Sequence, residues 1–315
     1  MGTTTNSNLH KAHVGKHDEF YTTMYTVEQE LKHYPHSFHG HTVYCNCDRP
    51  GRSEFWNYFH LNFRRLGLKK LIATYLSLDA PSFKAEYTGG YDYDIAEATF
   101  TRLNGNGDFS SPECLDILRQ CDVVVTNPPF SLARLFFRRL FIADRDFLII
   151  SPLSAIAYAD VFPFIYSGKV KLGSATSHMT MAFTIPDTYR LVERDQRRLA
   201  KVLGDEFVRT HHCAELRSLC WYTTLHFDCE HKQPMFTKHY NPSEYVFYED
   251  YPDVLAVDAV ADIPCDYLGP MGVPITYLFR HNPLHYRILN QLDGPMLNGK
   301  QCFRRIVIQK VVEDF

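Results

Sequence analysis

The sequence predicts an α/β protein with a mostly parallel β-sheet covered by helices on both faces. Three observations predict it. Short runs rich in Val, Ile and Leu alternate with segments whose apolar residues recur at helical spacing. Those runs are apolar almost throughout rather than at every second residue, as in strands buried on both faces. With 315 residues, the chain is long enough to bury such a core.

The elements follow in order. Residues 42–47 (TVYCNC) form the first strand. Residues 53–67 (SEFWNYFHLNFRRLG) carry apolar side chains at helical spacing and stop at Gly67. Residues 69–76 (KKLIATYL) are a second strand. Residues 111–120 (SPECLDILRQ) enter a helix through Ser111 and Pro112, with Glu113 in its first turn. A third strand at 122–126 (DVVVT), a helix at 131–143 (SLARLFFRRLFIA) and a fourth strand at 146–151 (DFLIIS) continue the alternation. Beyond residue 185 the pattern loosens into a polar, charged stretch, a strand-like segment at 219–228 (LCWYTTLHFD), and a long aromatic region. The expected organisation is a flexible N-terminal arm (1–15), a sheet domain (16–185), and a region (186–315) that completes the sheet and adds a peripheral or substrate-facing part.

Composition narrows the function. A net charge of −3 gives no general basic coat, so any nucleic-acid surface is local. Basic clusters occur at Arg64, Arg65, Lys69 and Lys70, at Arg134, Arg138 and Arg139, and at Arg190, Arg194, Arg197 and Arg198. Each suits phosphate contacts and equally a solvated helix face. No stretch reads as a signal peptide or a membrane span. Nine cysteines, an odd number, suggest reduced thiols in a cytosol. The chain has no phosphate-loop pattern and no HExxH pair. Residues 45–47 (CNC) and the Cys213, Cys220, Cys229 and His231 spacing fit core thiols better than a zinc site, and no metal is expected.

The chemistry centres on residues 121–132, CDVVVTNPPFSL. A buried strand ends on an amide, two prolines and an aromatic ring. The amine of a nucleobase is a poor nucleophile, because its lone pair is delocalised into the ring. Two fixed acceptors on its N–H bonds draw the nitrogen towards a tetrahedral geometry. The Asn127 side-chain carbonyl is one acceptor and the Pro128 backbone carbonyl is the other. Pro128 and Pro129 fix the turn, and Phe130 offers a stacking face. The alternative is a tight turn with no chemistry.

This motif resembles that of amino-methyltransferases that use S-adenosylmethionine. The ordered set of segments resembles the EcoRI-type adenine-specific DNA methyltransferases. Those segments are residues 16–22 (KHDEFYT), 43–50 (VYCNCDRP), 67–75, 105–114 (GNGDFSSPEC), 122–132, 147–158 (FLIISPLSAIAY), 220–225 (CWYTTL) and 271–289. The resemblance implies a Rossmann-like class I methyltransferase fold with a C-terminal target-recognition region. It also implies methyl transfer from S-adenosylmethionine to N6 of a flipped-out adenine in duplex DNA, by direct in-line displacement.

Carried over by residue, the resemblance makes Asn127, Pro128, Pro129 and Phe130 catalytic. Tyr21 and Thr22 touch the methyl donor, Cys45 and Asn46 line the turn after the first strand, and Asp48 takes the methionyl ammonium. Asp108 accepts from the cofactor adenine, with Phe109 beside it. Only Gly51 stands near the first turn, a departure from the usual glycine-rich loop. No acid directly follows the second strand, leaving Asp79 or Glu86 for the ribose. The implied partner is double-stranded DNA. A cognate restriction endonuclease would act on the same site without contact, or the enzyme would stand alone or serve a phage, in the cytoplasm of a bacterial or phage-infected cell. Related turns also serve RNA adenine, cytosine N4 and protein glutamine. A catalytically inactive DNA-binding protein of the same fold is the remaining alternative.

Overall fold

The computed structural model describes residues 20–90, 97–174, 181–185, 191–227 and 236–312. The expected arm at 1–15, Arg190, Cys229 and His231 lie outside them. Contacts divide the chain into two compact units, one of residues up to 160 with 171–228, the other of residues 161–170 with those from 229 onward.

In the first unit, β1 (Tyr21–Thr22) leads into α1 (Met24–Leu31), whose N-cap is Thr23. β2 (Thr42–Cys45) is followed by α2 (Glu54–Leu61) and the short α3 (Phe63–Leu66). Gly67 ends α3 at φ +64°, as its position in the sequence predicts. β3 (Lys70–Ala73), β4 (Phe83–Tyr87) and β5 (Thr99–Arg102) come next. In α4 (Pro112–Gln120) the N-cap Ser111 accepts from the Cys114 N–H. Then follow β6 (Val123–Thr126), α5 (Ala133–Ala143), β7 (Asp146–Pro152), β8 (Lys171–Leu172) and β9 (Ala182–Thr184). α6 (Glu193–Leu203), α7 (Asp205–Thr210), β10 (Cys213–Glu215) and β11 (Leu219–Thr223) close the unit.

The main sheet has the order β5-β4-β3-β2-β6-β7-β11-β8. Its four central strands, β3, β2, β6 and β7, are mutually parallel. β4 and β5 at one edge, and β11 and β8 at the other, pair antiparallel. The sheet is therefore mixed: the expected parallel ladder forms the centre and not the edges. The edge hairpin is polar and β5 is exposed along its length, so it carries no apolar run to betray it.

Alternation along the strands builds two core layers. Val43, Cys45, Val123, Val125, Leu148 and Ile150 share one cluster with side chains of α1 and α2, including Val27, Phe55 and Trp56. On the opposite face, Phe137 of α5 meets Tyr222 at 5.2 Å and Phe147 at 6.1 Å. A small separate sheet, β1-β9-β10, ties residues 21–22 to the segments around 183 and 214. β10 and β11 lie past residue 185 and belong to this unit, β11 as a strand of the main sheet.

The second unit carries its own four-stranded sheet. β12 (Leu255–Ala256), β13 (Met271–Pro274), β14 (Tyr286–Leu292) and β17 (Arg305–Lys310) stand in the order β12-β13-β17-β14. Between the last two lies a two-stranded ribbon, β15 (Met296–Leu297) with β16 (Lys300–Gln301). Tyr248, Ala256, Leu292 and Val307 pack together beneath the sheet.

Candidate active site

Parallel strands converge their loops at their C-terminal ends, and a crevice opens where strand order reverses. Here β2 is followed by β3 on one side and neighboured by β6 on the other. At that point lies a cavity of about 310 Å³. It is lined by residues from β1, from the loops after β2, β3 and β5, and from the turn after β6.

Of the residues expected from sequence, Tyr21, Thr22, Asn46, Asp48, Asp108, Phe109, Asn127 and Pro129 line this one cavity. Segments more than a hundred residues apart are thus brought together. Cys45 is not among the lining residues: it ends β2 inside the α1–α2 core layer, and Cys47, in the loop that follows, takes the place at the wall. Burial, with Asp48 beside it, pushes the Cys47 thiol well above its ordinary range, so it stands as a neutral thiol. Pro128 is buried and Phe130 half-buried, and neither is part of the lining.

The Asn127 amide is oriented by its surroundings. Its Nδ2 donates to the Phe20 carbonyl at 2.9 Å. A carbonyl only accepts, so the nitrogen must face Phe20 and the oxygen must face away. That oxygen, Oδ1, is buried without a hydrogen-bond partner among the described residues. Thr22 Oγ1 and Asn46 Oδ1 are in the same state. Three orphaned polar atoms on residues of one cavity wall are costly unless a ligand satisfies them. The Phe130 ring stacks on Phe20, with centroids 6.1 Å apart and planes inclined by 25°.

Asp48 is buried, and burial raises its carboxyl to about 6, against hydrogen bonds from Ser53 and Thr126 that lower it. Its Oδ1 accepts from Ser53 Oγ at 2.5 Å, and its Oδ2 accepts from the Thr126 hydroxyl. Asp108 is also raised by burial, opposed by the Ser110 N–H that its Oδ1 accepts at 2.8 Å. Just before it, Gly107 has φ +79°, and a Cβ there would lie 2.0 Å from the Tyr75 carbonyl oxygen. Only glycine lets the chain pass so close at this point. The cavity's size, orphaned acceptors and glycine approach fit a polar nucleoside-bearing cofactor.

Sequence reasoning missed Arg49, Arg52, Tyr75 and Ser77, which also line the cavity. The Arg49 guanidinium sits over the Tyr75 ring, 5.1 Å from its centroid. Tyr75 and Ser77 follow β3, where the sequence offers no acid directly after the strand. Glu86 is instead paired with Lys70 at 3.2 Å and Lys84 at 2.8 Å, and Asp79 is exposed outside the lining. A search for neutral hydrogen-bonding residues after the second strand would have found Ser77.

Several residues of the basic clusters are paired. On α6, Arg194 faces Asp195, Arg197 faces Glu193 and Arg198 faces Glu215. On α5, Arg138 pairs with Asp160 at 2.7 Å and Arg134 lies over Tyr158. Cys220 is buried in β11 and Cys213 in β10. In the second unit, His239 Nδ1 lies 3.0 Å from Asp266 Oδ2 and 3.9 Å from Cys265 Sγ, a surface cluster with no spacing pattern to signal it. No described helix is long and apolar enough to cross a membrane.

Comparison with known proteins identifies the family of the chain. Residues 8–311 match the family described as "Adenine-specific methyltransferase EcoRI". The chain is 37% identical to the type II methyltransferase M.EcoRI of Escherichia coli, over 97% of both chains. It is 31% identical to M.MgeORF184P of Mycoplasma genitalium, over 96% of this chain and 98% of that one. It is also 31% identical to M.MpnI of Mycoplasma pneumoniae, over 91% and 86% respectively. No solved structure shows significant similarity to it. Matched along nearly its whole length, the chain belongs to the EcoRI family of adenine-specific methyltransferases.

Proposed function

We propose that this protein transfers the methyl group of S-adenosylmethionine to N6 of an adenine turned out of duplex DNA. It would do so in a restriction–modification system, beside an endonuclease cutting the same sequence without contact, or as a solitary or phage enzyme. The cell cytoplasm is the setting. The type II methyltransferase names of the relatives support a DNA substrate. The sheet order, a parallel centre with an antiparallel strand inserted at one edge, supports a Rossmann-like class I methyltransferase reading for the first unit. The second unit is assigned to target recognition.

One observation carries the proposal. Asn127 holds a carbonyl oxygen that is buried, oriented by Phe20 and unpartnered, on a residue lining the cavity. When bound, S-adenosylmethionine supplies a methyl group made electrophilic by its sulfonium. Tyr21, Thr22, Asn46, Asp108 and Phe109 would hold it. Asn127 Oδ1 and the Pro128 carbonyl accept the two N–H bonds of the amine, and Phe130 stacks with the base. Turning the adenine out costs a few kcal/mol, roughly, before these groups engage it. Preorganised acceptors then act without reorganisation, and orientation supplies much of the rate.

The test offers a labelled donor with duplex DNA, RNA or protein in parallel, followed by analysis of the labelled nucleosides and amino acids. Label in N6-methyladenine supports the proposal. Label in cytosine, in RNA alone or in protein glutamine overturns it.

A further inference from the structure

Thr126 is the last residue of β6, and the acceptor turn begins at the next residue. It is fully buried, and its hydroxyl donates to Oδ2 of Asp48. The other oxygen of Asp48 accepts from Ser53 Oγ. Ser53 in turn accepts from the Phe55 N–H, as the N-cap of α2. The backbone N–H of Asp48 donates to the Thr74 carbonyl, just past β3, at 3.0 Å. One side chain and its backbone thus join the ends of β2, β3 and β6 and the start of α2.

The place of this junction is informative. β2 and β6 are paired as far as Tyr44 and Val124, and no ladder pair joins them beyond. The strands part there to open the crevice. β6 continues to Thr126, held on its far side by Ile149 of β7. The Asp48–Thr126 bond crosses the gap that the ladder leaves. Hydrogen bonds to an ionised acceptor are roughly twice as strong as neutral ones. A carboxylate therefore makes a stiffer tie than an amide or hydroxyl would. Asn127 is then anchored twice, through its preceding residue to Asp48 and through its own amide to Phe20.

We propose that Asp48 is a positioning residue, fixing the Asn127 acceptor through the Thr126 hydroxyl instead of taking the cofactor's ammonium group. The inference rests on the reading of Asn127 as the amine's acceptor. Each Asp48 oxygen already accepts a hydrogen bond from a hydroxyl, and the carboxylate is turned towards Thr126 and Ser53. Thr126→Val loosens this tie without altering any residue that lines the cavity.

The test uses Asp48→Asn, Thr126→Val, Thr126→Ser and the Asp48→Asn/Thr126→Val double variant in the full chain. Single-turnover methyl transfer and calorimetric binding of S-adenosylhomocysteine are measured for each. Thr126→Val is expected to slow transfer about 10- to 100-fold, the scale of a misplacement near 1 Å, with binding changed less than about threefold. Asp48→Asn should do the same, and the double variant should be no slower than either alone. Thr126→Ser, which keeps the hydroxyl, should recover most of the rate.

Unchanged transfer by Thr126→Val overturns the inference. So does a loss of binding in Asp48→Asn that Thr126→Val does not share, because that pattern marks a direct cofactor ligand. If Asp48→Asn does not fold, the two Thr126 variants decide alone. Asn127→Ala is run beside them. Full activity in that variant removes the acceptor reading itself, whereas an inactive Asn127→Ala with a fully active Thr126→Val removes only the tie.

Discussion

The side-chain amide of Asn127 donates to the backbone carbonyl of Phe20 at 2.9 Å, across 107 positions of sequence. It fixes which way the amide points and couples the N-terminal segment to the catalytic turn. Phe20 and Phe130 stack over the same junction. The two motifs therefore form one structure, and a change in either should be felt in the other. Asn127→Asp keeps an acceptor but loses the donor and sets a carboxylate against a carbonyl. Its transfer rate should fall by about 10²- to 10³-fold, the range for losing one preorganised polar contact. Single-turnover assays at saturating cofactor and DNA check this.

Asp48 gives a pH signature. Its carboxyl is raised from an ordinary 3.8 to about 6 by burial. The folded form therefore prefers the protonated acid. This group's contribution to stability is fully present below pH 3.8 and is lost as pH rises through about 6, a swing of about 3 kcal/mol. Activity should move the other way, because only the ionised acid accepts both hydroxyls. Transfer should rise with pH through about 6, and that limb should be absent in Asp48→Asn. Urea unfolding should show the variant gaining stability relative to the parent as pH rises from 4 to about 7.

Gly107 is a site where a single methyl group is decisive. Its φ of +79° and the Tyr75 carbonyl 2.0 Å from a Cβ position leave no room for alanine. Gly107→Ala should destabilise the first unit by more than about 2 kcal/mol, through left-handed backbone strain and the clash together. It should also weaken S-adenosylhomocysteine binding, because Asp108 is displaced with it. Denaturant unfolding and calorimetry read the two effects separately.

Asp108 tests the cofactor assignment. Its Oδ1 is held by the Ser110 N–H, which aims the carboxylate at the cavity. Asp108→Ala should weaken S-adenosylhomocysteine by about 10- to 100-fold, the loss of one hydrogen bond to a charged group. Unfolding midpoints should change little beside Gly107→Ala. Unaltered cofactor affinity in a folded Asp108→Ala would contradict the assignment.

Much of this arrangement was legible from sequence because its signals are local. Val123–Val125 is apolar throughout and two prolines follow just past Thr126 and Asn127, so both the strand and its stop could be read. Ser111 and Pro112 announce α4. The edge strands β4 and β5 are half-exposed or exposed and carry no such pattern, and α6 buries only Leu199 beneath a charged surface. In the site, Thr22, Asn127 and Asp108 follow from their motifs. Cys45 lies in the core layer, and Cys47, two residues on in the loop after β2, lines the cavity instead. Arg49 and Arg52 arrive through loop geometry, and Thr126 matters through a partner 78 positions away, which no single-sequence pattern records.

The most direct test of the acceptor role is the Asn127→Ala variant given labelled S-adenosylmethionine and duplex DNA, with cofactor binding measured on the same preparation. The predicted result is binding close to the parent's and almost no N6-methyladenine. Methylation at the parent's rate would show that the unpartnered oxygen of Asn127 does not act on the amine.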